Sequence, residues 1–165
     1  MKNVTKILTA VVLCAALFAS DQRISALGGN AALWPGDEAN ITNFPGSLND
    51  HAHVQVAGVG DDASDASESA TILFDNDGTT WGFSMNNGNE DWFNIMWGNG
   101  DMGLTIGMLS SEDGSTGGTY EASGMNLGWG QTMGFGDVGV TYSSTEVSGV
   151  DNTSLGLNWR GDVGF

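Results

Sequence analysis

Positive charge is almost missing from this sequence: 4 Lys and Arg stand against 20 Asp and Glu over 165 residues, a formal net charge of −16. Lys does not occur after Lys6, and the Arg residues are Arg23 and Arg160. Such a chain repels phosphate backbones, which argues against nucleic acid, and against anionic membrane surfaces as electrostatic partners. Cysteine occurs once, at Cys14, inside an N-terminal apolar run. Disulfides and thiol chemistry are therefore excluded from the rest of the chain. Proline is confined to Pro35 and Pro45, and histidine to His51 and His53. No stretch after residue 20 is long and apolar enough for a transmembrane helix. What is abundant is Gly, with 26 residues, about twice its usual share of ~7%. Asp, Asn, Ser and Thr make up much of the remainder. Such a composition would suit disorder, but 6 Trp and 7 Phe oppose it, because disordered chains are poor in aromatics.

The first twenty residues stand apart. Lys2 and Lys6 precede an apolar run from Ile7 to Ala19, closed by the small residues Ala19 and Ser20. This is the build of a cleaved secretory signal, and the run is too short to span a bilayer. Leu13 before Cys14 is bulky where a lipoprotein signal wants a small residue. Removing residues 1–20 leaves Arg23 and Arg160 against all 20 acids, a formal −18. Residues 21–50 read as an irregular segment, with Pro35-Gly36 punctuation and at most a short helical turn. Residues 51–165 read as a single β domain.

From about residue 53 the chain has a period of two. Ile72 and Phe74 share a face. Trp81, Phe83 and Met85 oppose Thr80, Gly82 and Ser84. Phe93, Ile95 and Trp97 oppose Trp92, Asn94 and Met96, the least clean alternation. Leu104, Ile106 and Met108 oppose Gly103, Thr105 and Gly107. Leu127 and Trp129 oppose Asn126 and Gly128, and Val140 and Tyr142 oppose Gly139 and Thr141. Leu157 and Trp159 oppose Asn158 and Arg160, and the alternation runs to Phe165. Turn signals fall at Asp75-Asn76-Asp77-Gly78, Asn99-Gly100-Asp101 and Gly136-Asp137. Short turns between strands of roughly 8–11 residues give an all-β, antiparallel up-and-down arrangement of about eight strands.

Period two does not by itself separate a soluble sandwich from a membrane barrel. The second face decides. A water-facing sheet exterior carries charge, whereas here it is Gly, Thr, Ser and Asn. A bulky apolar face with a small uncharged reverse fits an up-and-down transmembrane β-barrel, complete or truncated. On that reading Trp81, Phe83, Met85, Leu104, Ile106 and Met108 face lipid. So do Leu127, Trp129, Val140, Tyr142, Leu157 and Trp159. Thr105, Asn126, Thr141, Asn158 and Arg160 face the lumen. The six residues Trp81, Trp92, Trp97, Trp129, Tyr142 and Trp159 are candidates for interfacial aromatic girdles.

The terminal Phe165, closing an amphipathic strand, resembles the assembly signal of bacterial outer-membrane barrels, which implies the barrel-assembly machinery as a partner. A second resemblance lies in Ala26-Leu27-Gly28-Gly29-Asn30-Ala31-Ala32-Leu33, Asp37-Glu38-Ala39-Asn40 and Asn43-Phe44-Pro45-Gly46-Ser47-Leu48. This stretch resembles the start of long-chain fatty-acid transporter and PorV-type barrels, and is similar to uncharacterised outer-membrane barrels of marine bacteria. It departs from them in Phe44, between Asn43 and Pro45, and in Ser47 where Gly is usual. The resemblance implies that residues 21–50 pack inside or beneath the barrel as a plug. Those transporters have more strands, so the chain is either a smaller barrel or a truncated relative.

Chemistry is sparse. His51 and His53 sit near Asp50 without a third convincing ligand, so a metal site is not expected. Asp75-Asn76-Asp77-Gly78 begins like a calcium loop but lacks the later Glu, and a hairpin turn is the simpler reading. No Gly-x-Ser-x-Gly elbow or phosphate loop occurs. The sequence therefore points to a non-enzymatic, cofactor-free outer-membrane barrel, porin-like, structural or passively permeable. It would be located in the outer membrane after export, with outer-membrane lipid as its surroundings and no ligand specified. The competing reading is a secreted acidic β-sandwich binding calcium or carbohydrate through its loops.

Overall fold

The computed structural model describes residues 36–52, 54–57, 68–87, 92–113 and 120–161. The proposed signal at 1–20, the Ala26–Leu33 stretch, His53 and Phe165 lie outside them.

The period of two gives eight strands: β1 Val54–Ala57, β2 Glu68–Asn76, β3 Thr79–Asn87, β4 Trp92–Asn99, β5 Met102–Asp113, β6 Tyr120–Met133, β7 Gly136–Val147 and β8 Val150–Arg160. They form a single sheet in the order β1 to β8, each strand antiparallel to its neighbours. The all-β up-and-down architecture is thus as expected. It is one sheet, not the two stacked layers of a sandwich. Among the described residues no ladder joins β8 to β1, so the sheet is open at that seam. β1 contributes 4 residues and β8 contributes 11.

One end of the sheet carries tight turns. Asp77 and Gly78 have φ of 55° and 76°, the positive pair that lets a two-residue hairpin follow the strand twist. Gly100-Asp101 and Gly134-Phe135 make the other two turns at this end. The last of these corrects the expected turn at Gly136-Asp137. Those two residues instead open β7, with Gly136 opposite Met133 and Asp137 opposite Arg160. At the opposite end Ser148-Gly149 joins β7 to β8. Sequence alone offered no strong signal there, because Ser148 takes a positive φ of 49° without being Gly or Asn. The β1–β2, β3–β4 and β5–β6 connections lie outside the described residues.

Residues 36–50 form two short 3-10 helices, η1 Glu38–Asn40 and η2 Pro45–Asp50. Asp37 caps η1, its Oδ1 accepting from the Ala39 N–H at 3.0 Å. Pro45 starts η2, where its missing N–H costs no hydrogen bond. η2 touches β3, β4, β5, β6 and β7. Leu48 is buried with Met96 of β4 and Leu73 of β2, and Ile41 packs on this cluster. At the other end of the same stretch, Phe44 lies under Arg160 of β8. In a flat sheet β2 and β8 would be about 29 Å apart at ~4.8 Å per strand. Residues 43–48 reach at most ~18 Å even if extended. The sheet must therefore curl around the segment, with its small-residue face inside.

Candidate functional site: the inner face and its N-terminal segment

Register places the inner glycines in a row across four strands. Gly98 of β4 pairs with Gly103 of β5, Gly103 with Gly130 of β6, and Gly130 with Gly139 of β7. The row ends at Thr80 of β3 and Asn158 of β8. The N-terminal segment lies along it. A side-chain carbon at Gly103 would collide with the Pro45 carbonyl, and one at Gly139 with the Asn43 carbonyl. At Gly130 it would come within 2.7 Å of the backbone nitrogens of Pro45 and Gly46, and at Gly98 it would strike the Asn49 carboxamide. At the two carbonyl positions only a hydrogen fits between sheet and segment, so the absence of Cβ there is a packing requirement.

Side chains then tie the segment to the sheet. Asn49 Nδ2 donates to the Met102 carbonyl at 3.0 Å and to the Gly46 carbonyl at 3.1 Å. Asn158 Nδ2 donates to the Asn43 carbonyl at 3.3 Å. Within the segment, Ser47 Oγ donates to the Phe44 carbonyl at 2.9 Å, and Asn40 Nδ2 to the Asp37 carbonyl at 2.9 Å. The guanidinium of Arg160 lies 4.5 Å from the centre of the Phe44 ring, within cation–π range. Its Nε and Nη2 both donate to Asp137 Oδ2, at 2.9 and 2.5 Å, while Thr132 Oγ1 donates to Asp137 Oδ1 at 2.8 Å. Arg160, the one basic residue among those described, thus forms a latch over the buried Phe44.

Beyond the segment, towards the other end of the sheet, the inner face is polar. Ser84, Asn94, Gly107, Asn126, Ser143 and Ser154 form one cross-strand row. Asn126 Nδ2 donates to Asn94 Oδ1 at 3.2 Å, and Asn94 Nδ2 to Ser84 Oγ at 3.0 Å. The two carboxamides sit on strands that are not neighbours. They meet because Gly107, between them on β5, has no side chain: a Cβ there would strike both. This row and the flank of the segment line a half-open cavity of about 390 Å³.

The outer face is the reverse. Phe74, Trp81, Trp97, Leu104, Trp129, Val140 and Leu157 form one continuous row across β2 to β8. The adjacent row holds Ile72, Phe83, Ile95, Ile106, Leu127, Tyr142 and Leu155. The rings of Phe74, Phe83 and Phe93 stack diagonally, with centroids 6.4 and 6.5 Å apart. Most of these side chains are exposed, Leu155 and Leu157 to 77%.

All twelve residues expected on the lipid side lie on this bulky outer face, and Thr105, Asn126, Thr141, Asn158 and Arg160 lie on the inner one. Three of the six girdle candidates, Trp81, Trp97 and Trp129, fall at one level; Trp92 is on the inner face. The alternation of β4 was unclean because Met96, though bulky, points inward to Leu48. His51 follows η2 half-buried, its backbone N–H donating to the Leu48 carbonyl at 3.2 Å. Among the described residues no group of three acidic, His or Cys side chains is placed to hold a metal ion. The glycine row and the carboxamide crossing were not visible in the sequence, since both depend on register between distant strands. No protein-family model, curated protein or solved structure matches this chain.

Proposed function

We propose that the chain is an outer-membrane β-barrel whose lumen is closed at its tight-turn end by its own residues 36–50, with a structural or passively permeable role. The observation that carries this is the reversal of the two faces. The inner face is small and covered by the segment, while the outer face exposes a band of Leu, Ile, Met, Phe and Trp around the sheet. In water such a band is a large uncovered apolar patch, well beyond what soluble monomers expose. In lipid it is the ordinary exterior of a barrel. Closure between β8 and β1, export by residues 1–20 and recognition of Phe165 by the assembly machinery belong to the same proposal.

Eight strands enclose little free space, and the segment occupies part of it, so a wide pore is not expected. Expressed with its export signal, the chain should fractionate with the outer membrane and migrate differently on a gel before and after boiling. Recovery as a detergent-free soluble monomer would refute the reading. In planar bilayers the intact chain should conduct weakly or not at all. A large steady conductance would contradict the plug.

A further inference from the structure

The cavity beyond the segment has a composition unlike the rest of the chain. Acids outnumber bases five to one in the whole sequence, yet among the described residues no charged side chain lines this cavity. Carboxamides and hydroxyls, including Asn94, Asn126, Ser143 and Ser154, line it beside Ile41, Met96, Leu127 and Tyr142. At about 390 Å³ it lies at the small end of ligand pockets.

We infer that this cavity is a binding site for one small uncharged solute rich in hydroxyl groups, of about monosaccharide size. The chemistry excludes the other classes. An anion would find no cationic partner, since Arg160, the one Lys or Arg among the described residues, does not line the cavity. A cation would find no carboxylate on the walls, so its desolvation would go uncompensated. An alkyl chain would strip water from the Asn126–Asn94–Ser84 row and leave its remaining hydrogen-bonding groups unpaired. A polyol meets both needs. Each carboxamide has a second N–H beyond the one used in the row, and the hydroxyls on either side both donate and accept. Gly107 fixes the geometry by letting Asn94 and Asn126 act as one hydrogen-bonding unit across three strands.

The inference stands on the inner face alone and goes beyond the membrane reading. A chain that fractionated as soluble would refute the latter and leave the former in place.

The test is NMR titration of the full chain in micelles, following the side-chain amide resonances of Asn94 and Asn126. Millimolar D-glucose is expected to shift both resonances saturably, whereas gluconate and glucosamine, charged molecules of similar size, leave them unmoved. Asn126→Ala should weaken glucose binding about five- to tenfold, as expected for losing one well-placed hydrogen-bonding group. Gly107→Ala, which separates the carboxamides without removing either, should weaken it to a similar degree while the backbone spectrum shows the strands intact. Absence of a saturable shift, equal response to the charged analogues, or full binding by a folded Gly107→Ala variant would each overturn the proposal.

Discussion

The two faces of this one sheet are built by opposite rules. The inner face holds a row of four glycines, and a segment of chain lies against it so closely that backbone meets backbone at Gly103 and Gly139. The outer face is a continuous band of large apolar side chains with no protein over it among the described residues. In a soluble protein the large residues would be inside and the small or polar ones outside. Here the segment is held by fit against glycine, by a small Leu48–Leu73–Met96 cluster, and by hydrogen bonds donated by Asn49 and Asn158. The difference teaches that the side with the apolar bulk is not the side that organises the fold. On the proposed function, its bulk answers to lipid.

Substitutions on the two faces should therefore behave differently. Ile106→Arg, in the middle of the outer band, is expected to have the largest effect, about 3 kcal/mol of lost stability in a bilayer. The same change on a water-exposed strand would fall within about 0.5 kcal/mol, so denaturant unfolding in lipid vesicles separates the cases. Leu48→Ala, which empties the centre of the inner cluster, should cost about 2.5 kcal/mol.

Gly103→Val places a side chain against the Pro45 carbonyl. About 2 kcal/mol should be lost to overpacking, with chymotrypsin gaining access at Phe44. Gly134→Ala is its control: nothing lies within 4 Å of a Cβ there, and no comparable loss or cleavage should follow. Smallest is Arg160→Ala, which removes the latch. Its side chain is 17% exposed and pairs with Asp137 at 23%. The loss should be about 1 kcal/mol, with faster proteolysis at the segment and unchanged strand content by circular dichroism.

Much of this fold was legible in the residues. Alternation at Trp81–Met85, Leu104–Met108 and Val138–Tyr142 is local, and Asp77-Gly78 and Gly100-Asp101 announce their turns through Gly and Asp chemistry. The failures have physical causes. Gly136-Asp137 looks like a turn, but Asp137 is needed in the strand to face Arg160, and the turn moved two residues back to Gly134-Phe135. Met96 and Trp92 break the apolar alternation of β4 because they face inward. Alternation alone puts the glycines on the small, uncharged face. That they align into a bed for residues 43–49 depends on register summed over four strands, which no local pattern carries. The resemblance implied that residues 21–50 pack inside or beneath a barrel; of these, residues 43–49 lie against the inner face of the sheet.

The most direct test of the central claim compares two adjacent positions on β5. Beyond Cys14 in the proposed export signal the chain has no cysteine, so single cysteines at Ile106 and Thr105 can carry spin labels without background. In lipid vesicles the label at Ile106 should be relaxed strongly by oxygen and weakly by a water-soluble nickel chelate, while the label at Thr105 is shielded from oxygen. Equal access of the nickel chelate to Ile106, or the reverse pattern between the two sites, would contradict a sheet whose bulky face meets lipid and whose small face holds its own chain.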